Sequence, residues 1–489
     1  MIDAILHIDL ERRRGPAQPL AFGQFIEHLG RCIYGGVFEP GSPLADEHGF
    51  RKDALEAIQR LRPPILRWPG GNFASGYHWL DGVGPVSERP ARFDRAWRKP
   101  EPNAFGTHEF IRYCRLLGAE PHICVNMGSG TLDEAANWVE YCNRQSGTHY
   151  ADLRRRHGAA EPFAVKYWGL GNEVYGPWQI GHLSAEEYAR RAREFAKVMR
   201  LTDGDIRLVA VGAHDPEWDW EVLKTAGQAI DYISVHAYFQ PDAADPYYSL
   251  LAWPAVEEEY VRDLHHLIRA ARRRFGIRRP ISIAFDEWNV WYRTFPEAVK
   301  EDPLLEEQYN LGDALCVAAF LNMLRRNCDA VGMANLAQTV NVLGAILTRP
   351  DGLVLQTIYH PLVMQRELSG PIVLDGLAES DQFETRLAGR KYSVGYLDAC
   401  VTLDEAQRKL YLSCVNFHRE EGMRLRLRVS TRMAPEATLH SLTGPDPEAA
   451  NTFEQPEAVR AYTETRTMTA DGYIELPPHS ANVLEVGLA

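Results

Sequence analysis

The chain has 489 residues, 45% of them hydrophobic and 10% aromatic, which is enough for a large core and, at roughly 100–200 residues per domain, for two to four domains. That composition excludes a disordered, collagen-like or disulfide-scaffold protein. Lys and Arg number 53 against 66 Asp and Glu, and the net charge of −13 opposes a nucleic-acid partner.

The N-terminal MIDAILHIDLERRR alternates like a strand and lacks the basic-then-apolar order of a signal peptide. From there short apolar runs alternate with amphipathic segments. The runs fall at residues 20–25, 65–68, 122–127, 165–170, 207–211, 232–237, 281–285 and 330–336. Helix-like segments fall at 52–61, 108–117, 132–143, 185–200, 255–275 and 304–325. Asp53, Glu134 and Glu186 stand in first turns, where a carboxylate complements the helix dipole. Eight strand–helix repeats predict a (β/α)₈ TIM barrel over residues 16–365. Arginine runs at 154–156 and 272–274 are read as solvated helix faces. The uncharged stretch 330–348 contains Asn335, Gln338, Thr339 and Asn341, which would each need a partner in hydrocarbon, so no membrane span is expected. Past residue 365 helical periodicity stops. Strand-like segments at 392–397, 409–417, 423–429, 437–442 and 482–486 predict a C-terminal all-β sandwich, jelly-roll-like, over 366–489, with residues 1–15 adding a strand. Eight cysteines without a CxxC pair suit buried thiols in a reducing compartment.

Reactive side chains of a parallel barrel cluster where strands end. Here those ends carry Glu27-His28, then Arg67 through Asn72, Asn126, Asn172-Glu173, His236 with Tyr238, Asp286 through Asn289, and Asn335 with Gln338. Carboxylates, amides and Arg hydrogen-bond vicinal hydroxyls, and Trp faces stack on sugar rings. Glycoside hydrolysis needs one carboxyl group as acid and another as nucleophile or base. Glu287 is assigned as nucleophile because Arg67 and Tyr238 could stabilise its ionised form. Glu173 is assigned as acid/base, with a pKa expected to be raised by the neighbouring anion and Trp-rich walls. Trp68, Trp168 and Trp288, each taken alone, read as core. No HExxH motif or dense His/Asp cluster is present, so no metal or other cofactor is expected.

The motifs FGQFIEHLGRCIYGGVFEP, LRWPGGNFASGYHWLDGVGP, KYWGLGNEVYGPWQIGH, ISVHAY, IAFDEWNVWY and ANLAQTVNVL resemble, in order, those of glycoside hydrolase family 51 α-L-arabinofuranosidases. The resemblance spans residues 22–343. It implies Glu173 as acid/base and Glu287 as nucleophile of a retaining double displacement. It implies a sugar pocket of Glu27, Asn72, Asn172, Tyr238 and Gln338, nucleophile support from Arg67 and His236, and nearby aromatic residues Trp97 and Trp291. The implied activity is exo-acting removal of terminal α-L-arabinofuranosyl residues from arabino-oligosaccharides or arabinoxylan-derived oligosaccharides. A related furanosidase, acting on galactofuranosides or D-arabinofuranosides, and an endo-β-glucanase of the same family remain open. So do a sugar-binding protein without activity and a metal-dependent hydrolase. The resemblance also implies a homo-oligomer, commonly a hexamer in that family. A cytoplasmic location is expected, with an arabinose-containing oligosaccharide as the partner and neither nucleic acid nor membrane.

Overall fold

The computed structural model describes residues 1–292 and 305–488. Eight parallel strands close a barrel in chain order: Gly23–Phe25, Ile65–Trp68, Glu120–Val125, Tyr167–Leu170, Arg207–Ala210, Tyr232–Phe239, Ser282–Val290 and Val331–Leu336. The eighth pairs with the first through Asn335 and Gly23. Strands buried on both faces need apolar residues at every position rather than alternation, which is why they stood out as short apolar runs. The first is shorter than its run because Pro19–Phe22 forms a 3₁₀ turn. The seventh continues five residues past its run, carrying Asp286 and Glu287 within the strand itself.

The helix Pro246–Phe275 begins nine residues earlier than its periodicity suggested, and Pro254 lies inside it. Its true start is marked by Asp245, whose side chain caps the Tyr248 N–H, and by a proline in the first turn. The expected segment 304–325 starts as a helix only at Leu311 (Leu311–Arg326); residue 304 lies outside the described residues. Helices His149–Arg156, Pro216–Ala226 and Tyr359–Glu367 escaped the pattern reading, although Asp215 before Pro216 is a cap-and-proline start signal.

The β-rich part comprises two packed sheets. One holds, in spatial order, Leu377–Ser380, Ile2–Ile8, Met423–Val429 and Tyr473–Leu476. The other runs Arg13–Pro16, Ile372–Leu374, Leu397–Asp404, Lys409–Asn416, Ser480–Leu488, Met433–Thr443 and Arg460–Thr467. Leu6, Leu412, Leu425 and Leu484 meet in the core between them. Helix Leu311–Arg326 is buried along almost its whole length because it is wedged between barrel and sandwich. Asn322 and Arg326 both donate to Asp398 at 2.7 Å, and Arg325 donates to Gln365.

Arg154 departs from the expectation of a solvated face. It is buried, and its guanidinium donates to the carbonyl oxygens of Tyr141, Arg144, Gln145 and Ala159, tying down the chain that follows helix Leu132–Asn143. Arg154→Met would leave those carbonyls without donors in a dry site. We expect the thermal midpoint to fall by about 5 °C or more, with turnover at 25 °C retained, as checked by calorimetry and assay of the same preparation.

Candidate active site

Over the C-terminal ends of the barrel strands lies a pocket of about 680 Å³. Beneath it, at the end of the second strand, lies the buried Arg67. One guanidinium nitrogen donates to Glu287 Oε1 and another to Asn172 Oδ1, both at 2.7 Å. Its Nε stands 3.4 Å from Asp286 Oδ2, and the Phe25 ring lies 4.6 Å beneath the guanidinium carbon. Tyr238 donates to the other Glu287 oxygen at 2.7 Å. Its hydroxyl is held far above the ordinary tyrosine value by burial and the adjacent Glu287 charge, so it stays a donor.

Glu173 follows the fourth strand in a left-handed backbone conformation (φ 41°), uncommon for a non-glycine residue. Its side chain accepts from His236 Nδ1 at 2.9 Å, Tyr175 Oη at 3.2 Å and Trp178 Nε1 at 2.9 Å. These contacts reverse the expected direction of its pKa. Burial pushes the carboxyl up, but the hydrogen bond and positive charge of His236, with the two aromatic donors, outweigh burial and hold it low. The proton sits on His236 instead. Burial alone would lower that imidazole, yet Glu287, Asp286 and Glu173 raise it to about 10. His236 Nδ1 is nearer to Glu173 than to Glu287 Oε2 (3.4 Å), and Nε2 faces Asp286 Oδ1 at 3.3 Å. The residue expected to support the nucleophile thus bridges all three carboxyl groups. Asp286, given no role by sequence, is buried, yet the Arg67 and His236 charges bring it down to about 2.

A separate wall forms around Glu27, which accepts from the Phe73 N–H, Trp97 Nε1 and Gln338 Nε2 at 3.0–3.1 Å. Burial, then the Glu287 charge, raises its pKa to about 7. Gly70 is required here by close approach, since a Cβ would meet Glu27 Cγ at 2.6 Å. Trp97 is presented by the hairpin Arg92–Asp94 and Lys99–Glu101, where Asp94 accepts the Ala96 and Trp97 N–H groups. Behind Glu27, His28 accepts from Trp68 Nε1 and meets Glu101 at 3.0 Å, a buried brace.

All eleven residues singled out by sequence gather here. Glu27, Asn72, Trp97, Asn172, Glu173, His236, Tyr238, Glu287, Trp291 and Gln338 line the pocket, and Arg67 lies beneath it. Asn126 and Asn335 do not join them: Asn126 braces the loop after the third strand, and Asn335 donates to the Gln24 carbonyl. Sequence reasoning overlooked Tyr175, Trp178, His214 and Glu257, which also line the pocket. The first two lie inside the motif KYWGLGNEVYGPWQIGH; His214 and Glu257 lie outside every such motif. Glu173, His236 and Glu287 each bring one ligand atom within 4.8 Å of the others, a spacing that could hold a metal. Arg67 already supplies positive charge beside Glu287.

Comparison with known proteins bears on this site. One family model, described as the α-L-arabinofuranosidase 1 domain, matches residues 57–254. A second, the α-L-arabinofuranosidase C-terminal domain, matches residues 286–480. α-L-Arabinofuranosidase C of Emericella nidulans is 40% identical over 98% of this chain and 96% of its own length. An intracellular exo-α-(1→5)-L-arabinofuranosidase of Streptomyces lividans is 40% identical over 94% of this chain and 71% of its own. The solved structure of a thermostable GH51 α-L-arabinofuranosidase from Thermotoga petrophila superposes with a TM-score of 0.91 at 43% identity, covering 99% of this chain and all of that one.

His236 titrating near 10 has a readable consequence. Below that pH the ring stays an imidazolium, so ring-nitrogen NMR should show the charged form through pH 8. In His236→Gln the proton must reside on Glu173, which burial would then raise above the usual carboxylate value but leave far below 10. The alkaline limb of the turnover profile should therefore move down by several pH units, while turnover near pH 5 suffers least. An unmoved alkaline limb would refute this proton placement.

Proposed function

Because the chain belongs to glycoside hydrolase family 51, the α-L-arabinofuranosidases, we infer that it removes terminal α-L-arabinofuranosyl residues from arabino-oligosaccharides or arabinoxylan-derived oligosaccharides, with retention of configuration. It is an exo-acting glycosidase. The observation that carries the retaining reading is the approach of the two carboxyl groups, with oxygens of Glu173 and Glu287 no more than 4.8 Å apart. Retaining glycosidases hold their carboxyl groups about 5–5.5 Å apart, whereas inverting ones leave about 6.5–9.5 Å for a water. The wall of Glu27 and Gln338, with Trp97 donating to Glu27, supports exo action. Such a wall suits a single terminal sugar, where an endo-glucanase needs an open cleft.

In the reading proposed here, the furanose lies against Glu27, Asn72, Asn172 and Gln338. Asn172 is held by Arg67 through its Oδ1, while its buried Nδ2 takes no partner from the described residues, leaving a donor for a sugar hydroxyl. Glu287, oriented by Arg67 and Tyr238, attacks the anomeric carbon and forms a glycosyl ester. As the glycosidic bond breaks, the leaving oxygen takes a proton from Glu173. That proton reaches Glu173 from His236 Nδ1, 2.9 Å away, before the bond breaks, so Glu173 is left as a carboxylate. Glu173 then takes a proton from water, which attacks the anomeric carbon and releases Glu287. General acid–base assistance of this kind contributes about 10²–10⁴-fold.

Location and assembly belong to the same proposal. Among the described residues no helix is long and apolar enough to cross a membrane, and the S. lividans relative is named intracellular; both support a cytoplasmic enzyme. We also propose a homo-oligomer, so light scattering should return a multiple of 55.3 kDa, and the monomer mass would refute that part alone.

The two glutamates are separable by experiment. Glu287→Ala should lose turnover on every substrate by about a hundredfold or more, with partial rescue by azide. Glu173→Ala should lose as much on oligosaccharides yet keep an initial burst on aryl glycosides, whose leaving groups need little protonation. Equal losses on good and poor leaving groups would reject the acid role, and an inverted first-formed sugar by NMR would overturn that of Glu287.

A further inference from the structure

Strands one and five stand opposite each other in the barrel ring, so the loop after strand five faces Glu27 across the mouth. That loop carries His214, which lines the pocket together with Glu257 from helix Pro246–Phe275. The chemistry described above uses neither.

Both residues are held as parts of a built wall. The Glu257 side chain is only 5% exposed, and its Oε2 lies 3.1 Å from His214 Nε2. Among the described residues its other oxygen accepts no hydrogen bond. Glu257 lines the pocket, so that oxygen is open to a donor on a bound molecule. His214 adopts a left-handed backbone (φ 55°). Its ring stacks 3.6 Å from that of Tyr260, whose hydroxyl donates to Asp219 Oδ2 at 2.9 Å. Asp219 in turn accepts the Ala213 N–H. The imidazole is therefore pinned between Tyr260 and Glu257 while 40% of its side chain stays open. Strained residues that the surroundings over-determine concentrate at ligand sites.

Position decides which part of a substrate would meet this wall. The terminal sugar lies on the side of strands one, two and eight, and the leaving oxygen must rest against Glu173 at the end of strand four. Whatever the enzyme cuts away therefore extends over strand five. Trp178, which donates to Glu173 Oε2 and is 60% exposed, stands at the start of that path. We propose that His214 and Glu257 form a leaving-group subsite that hydrogen-bonds the hydroxyls of a neutral sugar ring. A hydroxyl donates to the open oxygen of Glu257, and His214 fixes that carboxylate. A uronate in this position would set a second negative charge beside Glu257 and is disfavoured.

This proposal rests on the arabinofuranosidase reading and is tested apart from it by changing only the leaving group. His214→Asn, which tolerates the left-handed backbone, and Glu257→Leu are assayed on α-1,5-linked arabinobiose and on 4-nitrophenyl α-L-arabinofuranoside. In both variants kcat/KM on arabinobiose should fall about tenfold, chiefly through KM, the scale of one lost buried hydrogen bond. On the aryl glycoside it should stay within roughly twofold, which also reports correct folding. Unchanged arabinobiose hydrolysis, or equal losses on both substrates in both variants, would overturn the subsite. A wild-type enzyme inactive on both substrates would overturn the arabinofuranosidase reading and this proposal with it.

Discussion

The Arg67 guanidinium, enclosed at the barrel mouth, links three strands that are not neighbours in the ring. It starts on the second, reaches Asn172 after the fourth, and meets Asp286 and Glu287 on the seventh. Removing a charge from water costs several kcal/mol unless it is paired and hydrogen-bonded. Two carboxylates and an amide oxygen meet that need. In return they are fixed in place, which presents one Glu287 oxygen to Arg67 and the other to Tyr238. Lysine could not serve here, because one ammonium cannot bond two acceptors in fork geometry while stacking on Phe25.

Charge placement then separates carboxyl groups that are chemically alike. Asp286 is driven low by Arg67 and His236. Glu27, buried and close to Glu287, rises to about 7. Glu173 is buried too, yet the hydrogen bond and charge of His236 hold it below its usual value. Hydrophobic walls around Glu173 were a plausible reason to expect a raised acid. The donors those walls also contain, Tyr175 and Trp178, turn the outcome round, since a hydrogen bond to the charged form opposes the cost of burial.

The pocket is asymmetric in the same sense. Its strand-one side is roofed by Trp97 and packed so closely that Gly70 has no space for a side chain. Its strand-five side carries the open Glu257 oxygen, with the exposed Trp178 indole after strand four beside it. Helix Pro246–Phe275, which supplies Glu257, also packs against helix Leu311–Arg326 and the hairpin Gln382–Leu387/Arg390–Gly395, so that wall is buttressed from the β-rich part of the chain.

By itself the sequence determined the barrel, the β-rich region and nine residues of the site, because strand runs buried on both faces are continuously apolar and chemistry in such a barrel must sit where they end; Trp97 and Trp291 came only with the family resemblance. It also carried Asp215 and Asp245, whose cap signals were passed over in favour of periodicity. What it left to tertiary structure were the quantities that depend on distance between elements far apart in the chain. The Glu173 pKa depends on a ring 63 residues away. The burial of Arg154 depends on carbonyls that only the folded turn aligns. The pairing of His214 with Glu257 joins a loop after strand five to a helix after strand six. A residue's type states which bonds it can make; only the fold brings the partner within 3 Å and removes the water that would otherwise compete for it.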